Sequence, residues 1–270
     1  MIAVTKATGE IEEFSEEKLR NSIQRAGVPQ QLQNQAIDHI RSRLTPNIKT
    51  SEIYQHIKEF LTEKQPFAVA KFSLKQAIMD LGPTGYPFES FIAKILETKG
   101  YVTQIRQILQ GKCITHEVDV VAQKGSERVM VEAKYHNMPG TKTNIHVALY
   151  IKARFDDLLD KNNLNQAWLV TNTKITQDAI AYSACMNMKV ISWNYPEGES
   201  LRDLIEQSGL TPITALSSLS NAQKQKLLQE DIVFSKELCR PDLLKSLGLS
   251  KADEEKLLSE IKFACNLNTT

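Results

Sequence analysis

Two apolar, β-branched runs, Val118-Asp119-Val120-Val121-Ala122 and Val129-Met130-Val131-Glu132-Ala133, stand on either side of a Gly125-Ser126 turn. Valines this dense around a glycine turn predict a hairpin buried in a sheet. With Gly125 as the first central residue of a type II′ turn, directly opposed residues must sum to 251, so Asp119 faces Glu132 and Glu117 faces Lys134. The period of two then places all four side chains on one face. Directly opposed Cβ atoms lie about 5 Å apart, and two carboxylates among valines repel unless a cation sits between them. A hard divalent cation such as Mg²⁺ resolves the conflict, because it takes one or two carboxylates, keeps several waters and binds phosphate oxygens. Lys134 would then orient an attacking water or a phosphate. The plainer alternative for Lys134 is a cross-strand ion pair with Glu117.

Around this hairpin the pattern alternates. Gly82-Pro83-Thr84-Gly85-Tyr86-Pro87 interrupts the chain, since two prolines and two glycines in six residues do not continue a helix. Beyond it a helix carries Phe88, Phe91, Ile92, Ile95 and Leu96 and stops at Gly100. After the hairpin come a helix (147–159), a strand (167–171), a helix (176–186) and a strand (189–193), which predicts an α/β layer with some parallel pairing. From 201 to 265 the chain reads as short helices. There Leu216 to Ser220 and Leu244 to Ser250 lead similarly into helices, a faint likeness to helix-hairpin-helix modules that rests on Gly248 alone.

Ahead of the break, residues 2–14 alternate around Gly9 as a short hairpin. Ser15 caps a helix carrying Leu19, Ile23 and Ala26 and ended by Gly27. Two more helices follow, one through Leu32, Ile37 and Ile40, the other through Ile53, Ile57 and Phe60 behind a Thr50-Ser51 cap. A last one runs from Phe67 to Leu81.

Composition excludes little. Net charge is +1, so nucleic-acid binding must be argued from local patches such as the basic excess between Lys94 and Arg154. No apolar run reaches membrane-spanning length and Met1 is followed by a polar segment, so a cytoplasmic protein without membrane partners is expected. Cys113, Cys185, Cys239 and Cys265 form no C-x-x-C pair and read as reduced, mostly packed thiols. No Gly-x-x-x-x-Gly-Lys-Ser/Thr loop is present, which argues against an ATP-driven motor.

Asp119 followed by Glu132-Ala133-Lys134 resembles the PD-(D/E)xK nuclease motif, with Val118 in place of the usual proline. The surrounding pattern, from about 84 to 195 and including Gly111-Lys112 and Leu169-Val170-Thr171-Asn172, resembles Mrr-type restriction endonucleases and archaeal junction resolvases. The resemblance implies a mixed sheet flanked by helices that hydrolyses DNA phosphodiesters with Mg²⁺ or Mn²⁺. It assigns Asp119, Glu132 and, on the first helix, Glu89 to the metal, and Lys134 to water or phosphate. His116 and His136 flank the motif strands and read as bystanders.

Residues Val4 to Lys18 resemble the opening of the ATP-cone, a regulatory nucleotide-binding module. That likeness assigns Lys6 and Lys18 to phosphates, Glu12 and Thr50 to further nucleotide contacts, and Gly9 and Ser15 to the hairpin turn and helix cap, with ATP or dATP as a signal. A helix N-terminus at Ser15 is a reasonable anion site. The chain is thus expected to be an ATP-cone (1–82), an Mrr-like nuclease domain (83–198) and a small helical domain (199–270). A nucleotide-sensing, DNA-gripping regulator that does not cut is the rival reading, and homo-oligomerisation is left open.

Overall fold

The computed structural model describes residues 2–266. The opening hairpin forms from β1 (Ala3–Thr5) and β2 (Ile11–Glu13), paired antiparallel, with Gly9 at φ +81° in the turn. Ser15 caps α1 (Glu16–Arg25), its hydroxyl accepting the Lys18 N–H at 3.2 Å. After α2 (Gln30–Arg41), a two-residue strand too short to leave a periodic signal, β3 (Ile48–Lys49), pairs parallel with β1. α3 (Thr50–Lys64) starts on Thr50 with Lys49 at the cap, so Thr50 and Ser51 lie inside the helix instead of capping it. The helix expected from Phe67 to Leu81 is two, α4 (Pro66–Phe72) and α5 (Leu74–Met79), meeting at Ser73. That junction divides the packing. Ile23, Ile37, Ile57 and Val69 share one core, whereas Leu74, Ile78 and Leu81 join the next.

The Gly82 break is shorter than expected, because Tyr86 already opens α6 (Tyr86–Thr98) and Pro87 lies in its first turn, where a missing N–H costs nothing. β4 (Val102–Gln110), β5 (Thr115–Lys124) and β6 (Glu127–Lys134) follow as a meander. Then come β7 (Lys142–Thr143), α7 (Ile145–Asn162), β8 (Gln166–Thr171), β9 (Lys174–Ile175), α8 (Gln177–Cys185) and β10 (Lys189–Ile191). The main sheet has the order β10-β8-β6-β5-β4, parallel from β6 to β10 and antiparallel from β6 to β4, and β7 pairs with β9 in a separate ribbon.

The sheet is covered on both faces, which explains its unbroken apolar strands. Phe88, Phe91 and Ile92 of α6 meet Val120, Val131 and Val170 on one side, and Ala148 and Ile151 of α7 meet Val121, Met130 and Leu169 on the other. The C-terminal elements are α9 (Leu201–Ser208), α10 (Asn221–Gln229), α11 (Pro241–Ser246) and α12 (Lys251–Asn266), with two short 3-10 turns between them. They extend the α6-side core, Phe234 stacking on Phe91 at 4.7 Å. Gly248, at φ +61°, turns α11 into α12, while the stretch from Leu216 to Ser220 follows a 3-10 turn. The cysteines correct another expectation: Cys113, Cys185 and Cys239 are exposed instead of packed, and the Cys265 side chain lies outside the described residues.

Candidate functional site

The turn sets the foreseen register. Lys124 pairs with Glu127, Val121 with Met130 and Val120 with Val131, each pair summing to 251. There the ladder ends, and Asp119 uses its carboxylate Oδ2 to accept the Ala133 N–H at 2.7 Å. On the opposite edge of β5, Ile105 faces Val120 and Gln107 faces Val118, and Arg106 between them has φ +52°. A non-glycine residue in the left-handed region distorts the pleat. Its neighbours record the distortion, since Val118 packs in the α7-side core and Val120, two residues on, in the α6-side core. Strict alternation therefore fails at Asp119, and of the four side chains predicted to share a face Asp119, Glu132 and Lys134 line one cleft while Glu117 does not. Glu117 lies exposed opposite Ile108, and Lys134 lies exposed opposite Thr171. Among the described residues these two form no ion pair.

The three predicted carboxylates nevertheless act on one another. Glu132 is 8% exposed, and burial together with the Asp119 charge pushes its pKa up to about 8. Glu89, on the first turns of α6, is equally buried, and burial with the Asp119 charge raises it to about 7. Burial also raises Asp119. Two arginines offset this charge, and the sequence places both only in the basic stretch from Lys94 to Arg154, as surface charge. Arg154 of α7 donates through Nη1 to Glu132 Oε2 at 2.5 Å, and Arg106 holds its Nε 3.6 Å from Glu89 Oε2 and donates through Nη2 to Ser90 Oγ at 2.7 Å.

After these contacts, Glu132 Oε1 and Glu89 Oε2 remain buried without a hydrogen-bond partner. Orphaned carboxylate oxygens are costly, and a cation is their natural partner. Among the described residues no three His, Cys, Asp or Glu side chains come together around one metal position, so Asp119, Glu132 and Glu89 do not form a three-carboxylate site by themselves. Asp119, Glu132 and Lys134 open onto a cleft of about 550 Å³, also lined by Tyr135, Asn137, His146 and Tyr150. His146 and Tyr150 were not foreseen; one turn apart at the start of α7, they carried no signal beyond helical spacing. His116 and His136 lie outside that lining, bonded to Asp157 and to Thr143 Oγ1 at 2.9 and 3.0 Å.

At the N-terminal end, Lys6 Nζ lies 2.8 Å from Glu12 Oε2, and Lys18 Nζ lies 3.4 Å from the same oxygen. The Lys6 hydrogen bond holds the Glu12 pKa below its usual range. Pairing of Thr5 with Lys49 sets Thr50, at the uncapped start of α3, next to the strand that leads into Lys6. Gly9 turns the hairpin and Ser15 caps α1, so the six residues singled out lie on the hairpin and the two helix starts beside it.

This end also touches the segment that follows β6. Thr8 abuts Gly140 so closely that a Cβ at Gly140 would lie 2.4 Å from Thr8 Cγ2. Tyr135 Oη donates to the Met79 carbonyl at 2.5 Å, and Asn172 bridges the Met79 sulfur and the His136 carbonyl at 3.2 and 2.8 Å.

Comparison with known proteins finds three family matches along the chain: an ATP cone domain over residues 2–75, a restriction endonuclease family (Mrr catalytic) over 83–205, and an AF1548-like C-terminal family over 212–265. An uncharacterized protein of Archaeoglobus fulgidus is 36% identical over 173 residues, covering 63% of this chain and 98% of that protein. The crystal structure of a protein of unknown function, AF1548, superposes with a TM-score of 0.58 at 34% identity, covering 68% of this chain and 99% of that one. About a third of this chain thus has no counterpart in either.

Proposed function

Since the chain belongs to the Mrr-type restriction endonuclease family, joined to an ATP cone and an AF1548-like C-terminal domain, we propose that it is a Mg²⁺- or Mn²⁺-dependent DNA endonuclease. The observation that carries this is Glu132, buried at the cleft beside Asp119 with its Oε1 left without a hydrogen-bond partner. Asp119 and Glu132 would hold the ion and Glu89 would support it. When bound, the ion supplies charge neutralisation and an acidified water for phosphodiester hydrolysis. Lys134, exposed at the end of β6, gives its ammonium to the scissile phosphate or the water. The buried surroundings of Glu89 and Glu132 exclude bulk water and strengthen these electrostatics.

Supercoiled plasmid, branched DNA and modified duplex incubated with Mg²⁺ or Mn²⁺ test the proposal. Nicking that disappears in Asp119→Asn is expected. Absence of metal-dependent cleavage on all of them refutes it and favours the regulator that binds without cutting.

ATP or dATP serves as the signal at Lys6, Glu12, Lys18 and Thr50, framed by Gly9 and Ser15. The hairpin tip abutting Gly140 supports a route to the cleft, because Gly140 lies on the segment leaving Lys134 and the same segment supplies Tyr135 and Asn137 to the lining. Nucleotide should raise the melting temperature of the full chain, and Lys6→Ala should abolish the shift. An unchanged melting temperature at saturating ATP and dATP sinks this part.

A further inference from the structure

The residue in direct contact with Glu132 is one that the motif does not contain. Arg154 stands midway along α7, 9% exposed, in line with the buried Ile151 and Leu158. A guanidinium in such a stripe must be paired, or its desolvation is uncompensated. Its two partners lie on the two strands that carry the acids. Nη1 donates to Glu132 Oε2 on β6 at 2.5 Å, and Nη2 donates to the backbone carbonyl of Glu117 on β5, two residues before Asp119. The ring of Tyr150 lies 5.4 Å from the guanidinium carbon and packs against it.

These contacts fall where the sheet no longer holds itself together. The β5–β6 ladder ends at Val120 and Val131, and past that pair the strands are joined by the Asp119 carboxylate on Ala133 N–H and by Arg154. Arg154 also treats the oxygens of Glu132 unequally. It binds Oε2 and leaves Oε1, in a residue that lines the cleft, buried without a partner.

We propose that Arg154 is a positioning residue of the metal site: it fixes Glu132 by one oxygen and ties β5 to β6 beyond their last pair. The free oxygen of Glu132 and the Asp119 carboxylate are thereby presented together to a divalent cation. The proposal rests on the nuclease reading. A planar fork serves both bonds at once, whereas a lysine ammonium is a single point charge on a flexible stem and does so poorly. Groups that orient metal ligands typically change metal affinity about 10- to 100-fold when removed.

Mn²⁺ binding to the full-length chain, followed by the loss of the free-ion electron paramagnetic resonance signal, tests the role without reference to cleavage. Arg154→Gln is expected to weaken Mn²⁺ binding about 10- to 100-fold, and Arg154→Lys, which keeps the charge and guards against a folding failure, by a smaller factor. At saturating Mn²⁺ the cleavage rate of Arg154→Lys should recover toward wild type, because Arg154 touches neither water nor phosphate in this role. Wild-type affinity in a folded Arg154→Gln or Arg154→Lys protein overturns the proposal. Tighter binding overturns it as well, since Arg154 would then compete with the ion. If wild type binds Mn²⁺ and Asp119→Asn loses it while the Arg154 variants do not, the positioning role alone falls. If wild type binds no Mn²⁺, the nuclease reading falls and takes this role with it.

Discussion

Glu132 makes the stability of the metal-free protein depend on pH in a direction opposite to that of an ordinary salt-bridged carboxylate. Its pKa rises from 4.5 in the unfolded chain to about 8 in the fold, through burial and the Asp119 charge. Below the unfolded value both states carry the proton. Between 4.5 and about 8 the folded state keeps a proton that the unfolded state releases, so stability falls as pH rises and levels off above the folded pKa. The limiting slope for one such group is about 1.4 kcal/mol per pH unit, and because it halves at the folded pKa the loss between pH 6 and 8 is about 2 kcal/mol. Glutamine at this position cannot titrate. Glu132→Gln replaces a carboxyl that the fold keeps neutral through most of this window, so its stability should fall less with pH than that of wild type by about 2 kcal/mol between pH 6 and 8. Urea unfolding of both proteins in chelator at pH 6, 7 and 8 measures the difference. Saturating Mg²⁺ should flatten the wild-type curve too, since the ion replaces the proton. Parallel curves for wild type and Glu132→Gln would refute a carboxyl held protonated by the site.

Other expectations are sharper in geometry than in size. Lys134→Ala should keep Mn²⁺ affinity and lose cleavage by about a hundredfold or more, and a parallel loss of metal binding would contradict its assignment to water or phosphate. Gly140→Ala places a Cβ 2.4 Å from Thr8 Cγ2 at a φ of +87°, so it should cost about 1–3 kcal/mol and weaken the nucleotide effect on melting temperature. An unaltered nucleotide response would disconnect that contact from regulation. Gly111→Ala places a Cβ 2.0 Å from Asp157 Oδ2 and 2.6 Å from the Ile114 carbonyl. It should disrupt the bonds that Asp157 accepts from Cys113 and Ile114 N–H and lower stability by about 1–3 kcal/mol in urea unfolding. Wild-type stability would mean that this loop carries no strain.

The sequence made the hairpin register legible because Gly125 fixes the turn and the valines commit both strands to burial. It did not reveal where the ladder ends. That depends on a carboxylate competing for a backbone N–H and on Arg106 adopting a left-handed conformation, which no residue type announces. Glu89 was assigned by the family resemblance, and the structure buries it within reach of the Asp119 charge. Arg154 did leave a trace, a charge in line with the apolar positions of α7. Its target, twenty-two residues earlier on β6, is set by how the helix crosses the sheet. β3 escaped because two residues carry no period, and the exposed cysteines because thiols pack and expose with similar sequence neighbours.

The junction at Ser73 bears on how such chains are assembled by recombination. The ATP cone match ends at residue 75, while the side chains of Leu74, Ile78 and Leu81 are already buried in the neighbouring core. The border inherited with the cone and the border at which the nuclease becomes self-sufficient therefore overlap on one short helix. A gene fragment beginning at Pro83 would encode the whole motif yet leave an apolar trough where α5 belongs. Exchange of the sensor for another, by nature or by an engineer, is expected to succeed only where α5 travels with the α6-side core that it joins.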